Sequence, residues 1–172
     1  MTDADAKPAR HSPQGPTLAA RLRVHVGDAV EGTTTRDGID TIDVPREQWL
    51  AAAKALRDHE KFVRFIDLTV VDDPALALRF EVHLLTYSMD EKRWGRLRTR
   101  TDGKLASVFS LYAAAHNYER EAFDMFGVVF EGHPSLTRIL MPDGWRGHPL
   151  RRDEPLLIEP VDFTVTRDLY KT

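Results

Sequence analysis

The sequence predicts an α+β domain, a two-layer sandwich with helices on one face of a mainly antiparallel or mixed sheet, followed by an extended C-terminal arm. Three observations predict it. Strand-like runs crowd the middle of the chain with turn-sized gaps between them, which favours consecutive antiparallel strands. Stretches with apolar residues at helical spacing stand outside that block, and helices segregated from a run of hairpins form a layer over one sheet face. Half of the ten prolines then fall between residues 134 and 160, interleaved with charges, which is too many for regular structure.

Residues 1–16 carry three prolines, a glycine and small polar side chains, with little to bury, and read as a disordered tail. Thr17 is an acceptable N-cap for a short helix whose inner face holds Leu18, Leu22 and His25 or Val26, before Gly27 and Gly32 break the pattern. Residues 38–44 (GIDTIDV) alternate apolar and polar and predict a half-buried strand. Pro45 suits the first turn of a helix carrying Trp49, Ala52, Ala53 and Leu56 on one stripe. Strands are predicted at 62–71, 77–87 and 93–101, and a helix from about Ser107 to Phe126 that Gly127 ends. The domain is therefore drawn over residues 17–131 and the arm over 132–172, leaving its own domain to lie on something else.

Composition removes several function classes. A chain of 172 residues supports one domain that buries roughly 70% of its unfolded surface. A hydrophobic share of 42% is too high for disorder throughout, and a formal charge of −3 gives no global attraction to nucleic acid or anionic lipid. No cysteine is present, which excludes disulfides, thiolate metal sites and cysteine-ligated clusters carried by this chain. No apolar run approaches the ~20 residues of a membrane helix. The first residues, MTDADAKPARHSPQGP, lack the apolar core of a secretory signal, so a soluble cytoplasmic chain is expected.

The densest charged cluster is Glu119, Arg120, Glu121 and Asp124 within YEREAFDMFG. On a helix Tyr118, Ala122, Met125 and Phe126 form the apolar stripe, and Arg120 and Asp124 stand one turn apart as an expected ion pair. A catalytic reading would take Glu119 or Glu121 with Asp124 as an acid–base pair. The plainer reading, an amphipathic helix whose charges pair with each other or with neighbouring loops, is preferred because no nucleophile accompanies them. His116, His133 and His148 lack tight ligand spacing, and two of them sit in Gly-His-Pro triplets that suit an extended chain better than a metal. Arg96, Arg98 and Arg100 share a strand face and, with Arg93 and Lys104, form a basic patch. Only Trp94 interleaves with them, so a solvated or protein-docking face is favoured over nucleic acid. No phosphate-binding glycine loop and no serine elbow is present. A compact domain with a long arm and no visible active site favours a subunit over a free enzyme.

From Tyr118 to Pro155 the sequence resembles a known signature. YEREAFDMFGVVFEGHPSLTRILMPDGW followed by RGHPLRRDEPL is similar to that of the C-subunit (30-kDa subunit) family of the proton-pumping NADH:quinone oxidoreductase, respiratory complex I. The residues that carry the likeness are Glu119, Arg120, Glu121, Asp124, Gly127, His133, Pro134, Arg138, Ile139 and Leu140, then Gly147, His148, Pro149, Leu150, Arg151 and Asp153. Thr137 stands where the family usually has a basic residue, and Asn117 where a tryptophan commonly precedes the tyrosine. The resemblance implies a non-catalytic peripheral-arm scaffold with no catalytic, cofactor or metal residues of its own. FMN and iron–sulfur clusters are expected in partner subunits. It implies docking on the quinone-site subunit (the D-subunit) and association with other peripheral-arm subunits. It places the chain on the cytoplasmic side of a bacterial inner membrane, touching the membrane only through the complex and binding no nucleic acid. Arg146, Gly147, His148, Pro149, Leu150, Arg151, Arg152 and Asp153 are the expected partner interface, with Arg120 held by Asp124 or Glu121 at its root. The same signature serves related hydrogenase-linked and ferredoxin-linked machines, so the choice among them stays open in the sequence.

Overall fold

A computed structural model of the protein describes residues 16–30, 32–36, 39–142 and 144–154. Most of the predicted N-terminal tail and residues 155–172 of the arm lie outside them. The elements run α1 (Leu18–Val26), β1 (Gly32–Arg36), β2 (Ile39–Asp43), α2 (Trp49–Asp58), β3 (Arg64–Asp72), β4 (Phe80–Ser88), β5 (Arg93–Thr101), β6 (Lys104–Ala106), α3 (Ala115–Phe126) and β7 (Val129–Glu131). The main sheet is ordered β1-β2-β5-β4-β3, with β2 parallel to β5 and every other pairing antiparallel. The predicted α+β arrangement is the observed one, and β3-β4-β5 is the expected meander.

Alternation decides which face is covered. Along β4, Phe80, Val82, Leu84, Thr86 and Ser88 are buried while their neighbours are half-exposed, and β5 buries Gly95, Leu97, Thr99 and Thr101 in the same phase. Leu18 and Leu22 of α1 and Trp49, Ala52 and Leu56 of α2 complete that core, with Phe62 wedged beside them. Gly95 permits the wedge: a Cβ there would lie 2.7 Å from the Phe62 ring. Thr17 caps α1 as expected, its hydroxyl accepting the Ala20 N–H at 3.2 Å. His25 is exposed rather than inward-facing and stacks on His59 at 3.9 Å.

β1, the start of α3 and the pair β6–β7 differ from expectation. Gly27 ends α1 as expected, and Gly32 opens β1, an unexpected strand whose run of three threonines suits a sheet edge. The helix predicted from Ser107 begins at Ala115, because residues 107–114 form turns in which the Leu111 and Tyr112 N–H groups both donate to the Val108 carbonyl. Short strands β6 and β7 pair in parallel across α3, so the helix is set between them like the crossover of a βαβ unit. That bracket fixes the direction in which α3 points its C-terminus.

Candidate partner-docking site

The site is the C-terminal half of α3 and the segment 133–154 that lies against it. α3 ends at Gly127, which takes φ +76° and returns its N–H to the Phe123 carbonyl at 2.8 Å. A helix leaves its last four carbonyls without intrahelical donors. Here the arm supplies three of the four. His148 Nδ1 reaches the Asp124 carbonyl at 3.0 Å, the Leu150 N–H donates to Met125 at 3.1 Å, and Arg151 Nε donates to Phe126 at 2.5 Å. Arg138 and Arg151 also place positive charge at the negative end of the helix dipole.

Asp124 is the centre of the arrangement. Its side chain is wholly buried, with Oδ1 2.7 Å from Arg138 Nη1. Oδ2 accepts three consecutive backbone N–H groups, from Ile139, Leu140 and Met141, at 3.0, 2.8 and 2.9 Å. Burial pushes this carboxyl up, but the three N–H donors and Arg138 outweigh it and leave it below its ordinary value. The expected Arg120–Asp124 ion pair is not formed. Arg120 instead forks onto the Thr137 and Arg138 carbonyls at 3.0 and 2.9 Å, because the loop has already filled the Asp124 carboxylate. Nor is Arg120 held by Glu121, which faces solvent.

Glu119 is also fully buried, and its partners lie in the turn after β6. Ser107 Oγ donates to it at 2.6 Å and the Val108 N–H at 2.7 Å. Burial pushes its carboxyl up to about 7, against the pull of those two donors. The plainer reading of this cluster is the one observed: its charges go to neighbouring loops. Glu121 faces water while Asp124 is enclosed by four donors.

The root of the arm is held by His133, whose Nδ1 accepts the Ser135 N–H at 3.2 Å, leaving Nε2 to donate to the His116 carbonyl at 3.1 Å. The two rings stack at 4.7 Å, and Pro134 is exposed beside them. Among the described residues no group of three or more metal-ligating side chains is brought together. Further along, the Gly147 carbonyl accepts from Arg138 Nη2 at 3.0 Å and the His148 N–H donates to Glu154 at 3.2 Å.

A second anchor was not read from the sequence. Asp72, at the end of β3 with its side chain 1% exposed, receives Arg79 through two bonds of 2.7 and 2.6 Å and the Arg152 N–H at 2.8 Å. Arg79 turns its other edge to Asp153 at 2.9 and 3.0 Å, holding that exposed carboxyl down to about 2. Arg79 and Arg151 both lie over the Phe80 ring, at 5.0 and 5.4 Å. The segment expected to leave the domain at residue 132 therefore stays bonded to it through residue 154. Of the expected interface residues, His148, Arg151 and Asp153 spend their polar groups inside the chain, as do the backbones of Gly147, Leu150 and Arg152. Pro149 is half-buried. The side chains of Arg146, Leu150 and Arg152 remain outward, Leu150 at 54% exposure, and those of Ile139 and Leu140 are exposed as well.

Fold and clamp together define a two-layer α+β module that carries a charged, proline-containing segment fixed on its surface. Comparison with known proteins places that module. The family described as "Respiratory-chain NADH dehydrogenase, 30 Kd subunit" matches residues 42–159, and the chain belongs to it. Similar proteins include the NADH-quinone oxidoreductase C-subunit of Roseiflexus castenholzii, 39% identical over 158 residues covering 89% of this chain and 91% of that one. The corresponding C-subunits of Hyphomonas neptunium and Cereibacter sphaeroides are 41% and 37% identical, covering 81% and 80% of this chain and 71% of theirs. A chain in the structure of the membrane-bound sulfane sulfur reductase, an archaeal respiratory membrane complex, shares the fold, with TM-score 0.60, 23% identity and 88% coverage of each chain. No described helix is long and apolar enough to cross a membrane.

Proposed function

We propose that the chain is the 30-kDa subunit of a proton-translocating NADH:quinone oxidoreductase, serving as a non-catalytic scaffold of its peripheral arm that docks on the quinone-site subunit. The observation that carries this reading is the family match over residues 42–159. The 39% identity to the Roseiflexus castenholzii protein, spanning nine-tenths of both chains, extends it to the whole domain. In this reading electrons pass from NADH through FMN and iron–sulfur clusters in partner subunits, and this chain, which has no cysteine, holds none of them. It sits on the cytoplasmic side of a bacterial inner membrane and meets the lipid only through the complex.

The clamp suits such a role physically. An arm already ordered on its own domain loses less conformational freedom on docking, so more of its contact energy appears as affinity. Asp124, Arg120 and Arg138 bind the arm's backbone, His148 binds the end of α3, and the side chains of Ile139, Leu140, Leu150, Arg146 and Arg152 are left exposed for a partner.

The test is affinity purification of the tagged chain from gently solubilised membranes, with mass spectrometry of the eluate and an NADH:quinone assay. Recovery with the flavin, cluster and quinone-site subunits and with NADH:quinone activity is expected. Recovery with hydrogenase subunits and no NADH-binding subunit would assign the chain to a related machine, and recovery alone would contradict the reading.

A further inference from the structure

The face of the main sheet away from the described helices carries a second distinctive set of side chains. Across β3, β4 and β5 its side chains stand in transverse rows: Arg64, Tyr87 and Trp94, then Asp67, Leu85 and Arg96, then Thr69, His83 and Arg98, then Val71, Glu81 and Arg100. The two halves of this face differ. Arg98 and Arg100 are neutralised within the chain by Asp43 and Glu81, an arrangement suited to water. The other half is not. Tyr87 and Trp94 pack edge to face at 5.1 Å, and Trp94 remains 40% exposed with no described element over it. Beside them Arg64, Arg96 and Asp67 have no ion-pair partner among the described residues, and Leu85 lines a hollow of about 240 Å³ between Asp67 and Arg96.

We propose that this half of the face docks a different subunit of the assembly, one that presents carboxylates to Arg64 and Arg96 and an apolar side chain to the hollow at Leu85. A cluster of tryptophan, tyrosine and arginine is the composition from which interface hot spots are drawn. Charge selects the occupant. A second copy of this chain would bring two unpaired arginines against two with a single unpaired aspartate on each side, leaving cations opposed. A polyanion would meet Asp67, Glu81 and Asp43 on the same face. The proposal rests on the reading of the chain as a subunit of a larger complex, and it adds a contact on the side of the sheet away from the helix layer.

Hydroxyl-radical footprinting of the full chain, alone and in the purified complex, tests it. Oxidation of Trp94 is expected to fall at least roughly fivefold in the complex. In a complex assembled with Arg96→Lys, a zero-length carbodiimide coupling is expected to join the introduced amine to an aspartate or glutamate of another subunit. Equal oxidation of Trp94 in both states, or coupling confined to a second copy of this chain, overturns the proposal. An intact complex with Trp94 still open fails this inference alone, whereas a chain recovered without other subunits fails the functional reading beneath it.

Discussion

Asp124 and Arg138 stand fourteen residues apart and meet at 2.7 Å, the carboxylate wholly buried and the guanidinium reaching on to the Gly147 carbonyl at 3.0 Å. One pair thereby ties the signature helix to the loop after it and to the segment beyond. The three N–H groups that share the same carboxylate turn the Ile139 and Leu140 side chains outward, where both are exposed.

Asp124→Ala removes the acceptor of all four donors. Breaking a buried pair by deleting one partner costs about 3–5 kcal/mol, and urea unfolding of the full chain measures it. Asp124 sits below its ordinary value when folded, so its contribution is present above the unfolded value of about 4 and is lost as pH falls through the folded one. The gap between wild type and Asp124→Ala is expected to narrow in acid only.

Glu119 has the opposite sign. Its carboxyl is raised to about 7 from 4.5, so the folded state holds a proton that the unfolded state has released. Stability from this group is full below pH ~4.5 and declines as pH rises to about 7, by on the order of 3 kcal/mol, then stays level. Glu119→Gln mimics the protonated form, accepting from Val108 and donating to Ser107. It is expected to fold and to flatten that part of the stability–pH profile. Parallel profiles for the two proteins would show that Glu119 does not hold the proton.

The layers were legible because burial alternates. GIDTIDV and the runs around β3, β4 and β5 have period two on a sheet that the described helices cover on one side, and the α2 stripe through Trp49 and Leu56 has helical period. The start of α3 was not legible, since Val108, Tyr112 and Ala115 keep helical spacing through what is a turn held by Glu119. The site was legible as a set of residues but not as a set of partners. Arg120 and Asp124 at one-turn spacing predicted each other locally, and a loop bringing three N–H groups from residues 139–141 is a non-local competitor that spacing does not reveal. Asp72 and Arg79 were missed for a related reason: an aspartate before Asp73-Pro74 reads as part of a turn, and its pairing with the arm crosses 80 residues.

Gly127 serves two ends at once. A side chain there is strained at φ +76°, and its Cβ would fall on the Arg151 guanidinium and 2.6 Å from His148 Nε2. Gly127→Ala is expected to cost about 1–3 kcal/mol and to loosen the segment after residue 147. Faster tryptic cleavage at Arg151 and Arg152 in the folded variant is the readout.

Arg79→Ala strands the buried Asp72 carboxylate, and an uncompensated buried charge costs about 3–5 kcal/mol. Asp153→Asn, at the exposed end of the same bridge, is expected to leave the thermal midpoint nearly unchanged. Thermal unfolding of the two variants side by side separates anchor from rim.

In the proposed role, α3 prepares the arm for a partner. The most direct test is the affinity of the full chain for the purified quinone-site subunit, measured for wild type and Asp124→Ala at a temperature where both are folded. A loss of at least about tenfold, with faster proteolysis between residues 138 and 154, is predicted. A variant whose arm is cut faster but which binds the quinone-site partner as tightly as wild type would contradict it.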